Sequence, residues 1–165
     1  MSFVIDKMTA EDWEKVRVIY AEGIATGHAT FEAHAPSWEE WDSRHLPYCR
    51  LVAREVEIVK GWAALSPISS RFVYAGVAET SIYVGQCHRG EGIGKALLDA
   101  LVRDSERNGV WTLEAGIFPE NNWSLAMHKQ GGFREVGRRV RIGKMQGAWR
   151  DTILLERRSD VVGVD

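Results

Sequence analysis

The chain of 165 residues has only two cysteines, Cys49 and Cys87, which are far apart and in no C-x-x-C or Cys/His spacing. That excludes a disulfide framework and a thiolate zinc centre, so no metal is expected and a reducing compartment suits the protein. Prolines number four, and no repeat, low-complexity tract or Pro-, Gly- or Ser-rich linker divides the sequence. A single domain over residues 1–158 is expected, with a frayed, disordered tail over 159–165. No apolar run approaches the roughly 20 residues of a membrane helix, so no membrane span is expected. The opening Met-Ser-Phe-Val-Ile-Asp-Lys has no charged leader before a long apolar segment, so a cytoplasmic protein is expected. Charge of one sign is also lacking: the net charge is −2, which argues against a nucleic-acid partner. What is present is 45% hydrophobic and 27% charged residues, the balance of a globular protein, and an unusual seven tryptophans.

Local patterns read as a strand at 3–5, then a helix capped by Thr9 with Trp13, Val16, Ile19 and Tyr20 on one face. A polar loop runs from Gly23 to Pro36, and Ser37 with Glu40 opens a second helix through Trp41. Residues 50–53 and 58–65 read as a strand hairpin whose turn near Val56 lacks Gly or Asn. After a loop at 66–76 carrying Arg71 comes a β-branched and aromatic strand at 80–84. A Gly-rich segment at 85–94 opens a helix with the stripe Ile93, Leu97, Leu98, Leu101 and Val102, ended by Asn108-Gly109. A strand at 110–117, a helix at 122–130 and closing strands at 134–142 and 149–156 follow.

The loop Arg89-Gly90-Glu91-Gly92-Ile93-Gly94-Lys95 can hold an anion. Glycines let backbone approach a ligand, and a helix start offers unpaired N–H groups and a favourable dipole. Phosphate or pyrophosphate is the natural guest, since three alternating glycines exceed what a plain turn needs. The triphosphate pattern G-x-x-x-x-G-K-[ST] fails, because Ala96 follows Lys95 and Arg89 stands at the first Gly. The dinucleotide spacing G-x-G-x-x-G fails too, although Glu114 lies where a ribose-binding acid is expected.

The segment from Arg89 to Gly94 resembles the acetyl-CoA pyrophosphate loop of the GNAT N-acetyltransferases. Within that superfamily the chain is most similar to the phosphinothricin and methionine sulfoximine acetyltransferases. The matching stretches are Ala29-Thr30-Phe31-Glu32, Glu79-Thr80-Ser81-Ile82-Tyr83-Val84, Leu125-Ala126-Met127-His128 with Gly132-Phe133, and Gly147-Ala148-Trp149-Arg150-Asp151. The resemblance implies an α+β (α/β) GNAT fold. Its mixed, mostly antiparallel sheet of about six to seven strands would be flanked by about four helices and splayed between the strands at 80–84 and 110–117. It implies transfer of acetyl from acetyl-CoA to the α-amino group of a small amino acid or analogue, of the phosphinothricin, methionine sulfoximine or methionine sulfone type. Direct attack through a tetrahedral intermediate and a homodimer are implied as well. Ile82, Tyr83 and Val84 would bond the pantetheine arm through their backbone. Arg89, Gly90, Glu91, Gly92, Ile93, Gly94 and Lys95 would hold the pyrophosphate, with Asn121 and Ser124 on the far side.

Acetyl transfer needs a base for the ammonium, donors for the oxyanion and help for the departing thiolate. Glu79, expected at the mouth of its strand, is the candidate base. His128, one turn after Ser124, would protonate the thiolate or order water. Thr30, Phe31, Arg71, Glu79 and Thr80 would contact the substrate, Arg71 by clamping a carboxylate; Phe31 equally suits a core plug. His28, His34, His45 and His88 read as surface or loop residues. Trp38, Trp41, Trp123 and Trp149 would border the cleft or dimer surface. A peptide N-terminus, a lysine or a polyamine is the alternative acceptor, and a non-catalytic CoA-binding sensor the alternative class.

Overall fold

On one strand, Ala63 and Leu65 face one core cluster while Trp62 and Ala64 face another, and all four are fully buried. A sheet that is apolar on both sides must be covered on both. The computed structural model describes residues 2–165 and shows how this is done. The strands are β1 (Val4–Lys7), β2 (Leu51–Glu55), β3 (Ile58–Pro67), β4 (Val77–Val84), β5 (Thr112–Ile117), β6 (Arg134–Met145) and β7 (Ala148–Arg158). They form one sheet in the order β1-β2-β3-β4-β5-β7-β6, antiparallel throughout except between β4 and β5. Helices α1 (Trp13–Ala25) and α2 (Trp38–Arg44) cover one face. Helices α3 (Ile93–Arg107) and α4 (Asn122–Gln130) cover the other, with Ile93, Leu97, Leu98, Leu101 and Met127 in the core. The architecture is the expected α+β arrangement.

The helix starts follow from short polar side chains. Ser37 Oγ accepts from the Glu40 N–H at 3.2 Å, satisfying a donor the helix cannot. Thr9 begins a 3₁₀ turn (Ala10–Asp12) that leads into α1. The Asp12 carboxylate accepts from the Thr9 N–H at 2.9 Å and from both Arg54 terminal nitrogens at 3.0 and 2.9 Å. That bidentate pair fastens the start of α1 to β2.

Several elements depart from the local expectation. β4 begins at Val77 rather than at residue 80, because Ala78 pairs with Pro67 on one side and Leu113 on the other. Two-sided pairing overrides the weak β preference of Ala78-Glu79. Glu79 therefore lies inside a strand, not at its mouth. β6 and β7 are longer than expected and join through Gln146-Gly147, both at positive φ, the geometry of a tight hairpin turn. Residues 140–142 bulge out of β6, where the Asp151 carboxylate accepts from the Arg141 N–H and from Arg138, both at 2.7 Å.

The tryptophans divide differently too. Trp41 and Trp62 are fully buried. With Trp13, Trp38, Tyr20 and Tyr83 they form a continuous aromatic stack between α1, α2 and the sheet. Trp38 and Trp41 are thus core, whereas Trp123 and Trp149 stay half exposed. His45 stacks on Trp41 at 4.0 Å and is no free surface residue. The frayed tail is not seen over 159–163. Ser159 donates its N–H to the Trp111 carbonyl at 2.8 Å and its hydroxyl to Glu106 at 2.9 Å. Arg158 donates to the carbonyls of Ser159, Val162 and Gly163.

The β2–β3 turn places Val56, 84% exposed, at φ +54°. A β-branched residue in the left-handed region costs about 1–2 kcal/mol. Val56→Asn should raise the thermal midpoint by roughly 2–4 °C, as about 1 kcal/mol does in a chain of this size. A midpoint that stays level or falls would show that the turn holds no such strain.

Candidate active site

β4 and β5 pair at three positions only, Val77 with Thr112, Ala78 with Leu113 and Glu79 with Glu114. Beyond Glu79, β4 keeps pairing with β3 as far as Val84, and β5 keeps pairing with β7 as far as Ile117. The sheet opens there into a wedge. From Thr80 to Val84 the β4 edge facing β5 has no strand partner, leaving its N–H and C=O groups free for an extended ligand.

Side chains alternate across a strand, so Glu79 and Thr80 enter the wedge from opposite faces. Glu79 shares its face with Glu114, its registered neighbour, and its carboxylate leans toward Gly116, whose absent Cβ would lie 3.9 Å from Oε2. The crowding of protein around the carboxyl raises the Glu79 pKa, the Glu114 charge raises it further, and Arg139 offsets part of the rise. A carboxylate tuned upward is better matched to accept a proton near neutrality.

On the other face, Thr80 Oγ1 lies 3.3 Å from His128 Nε2 and 3.4 Å from the Glu114 carbonyl. His128 Nδ1 is 2.8 Å from the Ser124 carbonyl. A carbonyl only accepts, so Nδ1 carries the proton and Nε2 presents a lone pair. Burial lowers the His128 pKa, partly offset by the Ser124 carbonyl. The ring is therefore a neutral acceptor toward Thr80. In this arrangement it holds no proton at Nε2 for a leaving group.

The Gly-rich loop lies at the far end of β4. Gly90 and Gly92 both have φ of +81°, with open space where a Cβ would stand. Gly92 immediately precedes α3, whose first residues line a pocket of about 230 Å³. Val84, Arg89, Gly90, Lys95, Trp123 and Met127 are among its lining residues. Gly94 serves packing instead, because a Cβ there would stand 2.7 Å from Trp123 and 2.9 Å from the Met127 sulfur. It brings α3 against α4. Glu91 turns inward to buried Lys60 at 3.1 Å, leaving only its backbone for an anion, and Lys60 holds the Glu91 carboxyl below its ordinary pKa. Lys95 pairs with Asp99 at 2.6 Å, so Arg89 is the less encumbered cation.

The remaining candidates are spread around this wedge. Ser124 is on α4, and its N–H donates to the Asn121 side chain, which caps the helix at 3.1 Å. Thr30 lies beside the phenols of Tyr20 and Tyr83. Phe31 packs edge-on against Phe118 at 4.8 Å and over Gly143. Tyr83 stacks on Tyr20 and Trp62, so it serves the core. Arg71 sits in the exposed loop before β4 with its guanidinium over Tyr74 at 5.4 Å, and makes no ion pair with the site. The sequence pattern suggests Glu114 only as a ribose partner, and Arg139 and Lys60 carry no motif; the places of all three depend on strand register. Among the described residues no cluster of ligands could hold a metal ion.

Residues 10–133 match the family described as "Acetyltransferase (GNAT) family". A phosphinothricin N-acetyltransferase of Alcaligenes faecalis is 32% identical over 89% of this chain and 78% of that protein. An L-methionine sulfoximine/L-methionine sulfone acetyltransferase of Pseudomonas aeruginosa is 31% identical over 94% of both chains. Among solved structures, a phosphinothricin acetyltransferase of Sinorhizobium meliloti in complex with AcCoA superposes with a TM-score of 0.88 at 31% identity, covering 100% of this chain and 92% of that one.

The raised Glu79 pKa has a stability consequence with a definite sign. The folded chain holds the Glu79 proton more tightly than the unfolded chain, so ionisation costs stability as pH rises through the folded pKa. Glu79→Gln removes that cost. Its thermal midpoint should equal the wild type near pH 4 and exceed it at pH 7; a difference independent of pH would mean the carboxyl is not perturbed.

Proposed function

The chain belongs to the GNAT acetyltransferase family, and we propose that it moves an acetyl group from acetyl-CoA to the α-amino group of a small amino acid or analogue of the phosphinothricin, methionine sulfoximine or methionine sulfone type. The observation that carries this reading is the Glu79 carboxyl at the point where β4 and β5 part. An unbonded strand edge, two left-handed glycines, a helix start and Arg89 suit an extended diphosphate ester. Acetyl-CoA supplies the activated acetyl thioester.

In this reading the backbone of Ile82, Tyr83 and Val84 holds the pantetheine arm, and N–H groups between Arg89 and Lys95 hold the pyrophosphate, with Ser124 alongside. Glu79 takes the ammonium proton, so that the amine has a lone pair. Free N–H groups of the β4 edge receive the developing oxyanion. On the opposite face, the hydroxyl of Thr80 and the Nε2 lone pair of His128 form a hydrogen-bonded pair that can order water beside the departing thiolate, which takes its proton from that water. Thr30 and Phe31 wall the acceptor site, and Arg71 reaches an acceptor carboxylate. Phe72, at 92% exposed, and separately Val140, Ile142 and Trp149 of the β6–β7 hairpin are exposed apolar side chains of the kind a homodimer would cover. The free thiols of Cys49 and Cys87 fit a cytoplasmic setting.

One observation favours a second acceptor: Glu79 and Glu114 side by side would also suit a polyamine. A thiol-release assay with acetyl-CoA over phosphinothricin, methionine sulfoximine, methionine sulfone, ordinary amino acids and spermidine separates the two. Turnover of the sulfone or sulfoximine with none of spermidine is expected; the reverse would transfer the assignment to the polyamine. Glu79→Gln should lower kcat by ~10²–10⁴ near neutral pH, and a wild-type rate would remove Glu79 from the chemistry. Glu114→Gln should move the acid limb of the pH–rate profile to lower pH, because it removes a charge that raises the Glu79 pKa; an unmoved limb would contradict that coupling.

A further inference from the structure

The loop between α1 and α2 has no regular structure over residues 27–36, yet its first residues are held at several points. Two of those points converge on one side chain, Arg150 of β7, which is only 15% exposed. Its guanidinium donates to the Gly27 carbonyl at 2.9 Å and to His28 Nδ1 at 3.0 Å. It also donates to the Glu120 carboxylate at 3.2 Å and lies 4.1 Å over the Phe118 ring. Asn121 adds a second tie, donating its amide to the His28 carbonyl at 3.1 Å. Phe118, Glu120 and Asn121 form the segment between β5 and α4, the helix that bears Ser124 and His128. Phe31, three residues beyond His28, closes against the same Phe118 and against Gly143 of β6, which pairs directly with Arg150.

A planar cation with five donors in a fixed fork is suited to such a junction. Two of its partners belong to the loop and two to the segment leading into α4. The geometry points to Arg150 as a positioning residue for the acceptor site: it bolts the 27–31 loop to the start of α4, so that the wall carrying Thr30 and Phe31 stands in its binding conformation before substrate arrives. This rests on the reading that Thr30 and Phe31 wall the acceptor site. The physical gain is entropic. Fixing a backbone residue costs conformational entropy, and a loop ordered during folding does not draw that cost from substrate binding. The same junction places one acid, Glu120, against Arg150; its own backbone N–H first, and then the Arg150 guanidinium, hold its carboxyl below the ordinary range.

The test compares wild type with Arg150→Met, Arg150→Lys and His28→Ala, by steady-state kinetics and by amide hydrogen exchange. Arg150→Met should raise KM for the amino-acid acceptor by about tenfold, the loss of roughly one charge-assisted hydrogen bond. KM for acetyl-CoA should stay within about twofold and kcat within about threefold. Arg150→Lys should recover part of the acceptor KM, because one ammonium can reach some of these acceptors but not all. His28→Ala, which keeps the Gly27 contact, should give a smaller rise. Exchange at residues 27–31 should quicken in Arg150→Met while the core of β3 and α3 is unchanged. Wild-type exchange in that loop would overturn the bolt. Faster exchange with an unchanged acceptor KM, or an equal rise in both KM values, would overturn its role in acceptor binding. If the wild type acetylates no amino acid, the acceptor reading fails and the clamp is still judged by exchange alone.

Discussion

The short parallel contact between β4 and β5 governs the rest of the molecule. Three residue pairs hold the two halves of the sheet together, and the strands then part because each has another partner to follow, β3 for β4 and β7 for β5. A longer pairing would consume the N–H and C=O groups of residues 80–84 and leave no wedge. A shorter one would separate Glu79 from Glu114. The wedge is therefore a property of register, and α3 and α4 on one face with α1 and α2 on the other keep it open.

Electrostatics then gives the two ends of β4 opposite characters. At the splay, burial and then the Glu114 charge hinder ionisation of Glu79, and Arg139 limits the effect. At the Gly-rich end an acid would oppose an anionic guest, and Lys60 draws that acid inward. Lys60 is itself held in its charged form by Glu55 and then by Glu91. A bulk charge of −2 offers an anion little attraction, and under the proposed function one loop, one helix start and Arg89 supply it locally.

The legible features are those written in adjacent residues. The Gly-rich loop, the one-turn spacing of Ser124 and His128 and the capping of α2 by Ser37 each declare themselves within a few positions. Features set by the meeting of distant segments do not. Glu79 and Glu114 are brought together by a parallel register, and Val77–Glu79 join β4 only because both sides are paired. Trp38 and Trp41 read as boundary residues because a helical pattern shows an apolar face without saying what covers it; here Trp13 and Trp62 do. Ser159 reads as the start of a loose tail because its partners, Trp111 and Glu106, lie some fifty residues away. The proton on His128 is likewise decided by the Ser124 carbonyl and not by the identity of the residue.

That the free β4 edge and Glu79 together form the site of acetyl transfer is tested most directly by a crystal structure with CoA and methionine sulfone bound. Amide groups of the pantetheine arm should be hydrogen-bonded to the backbone between Ile82 and Val84, with the acceptor amine within a direct or single-water hydrogen bond of Glu79. CoA seated away from the wedge, for example in the groove lined by Lys7, Tyr48, Arg103 and Arg107 between β1 and α3, would contradict it.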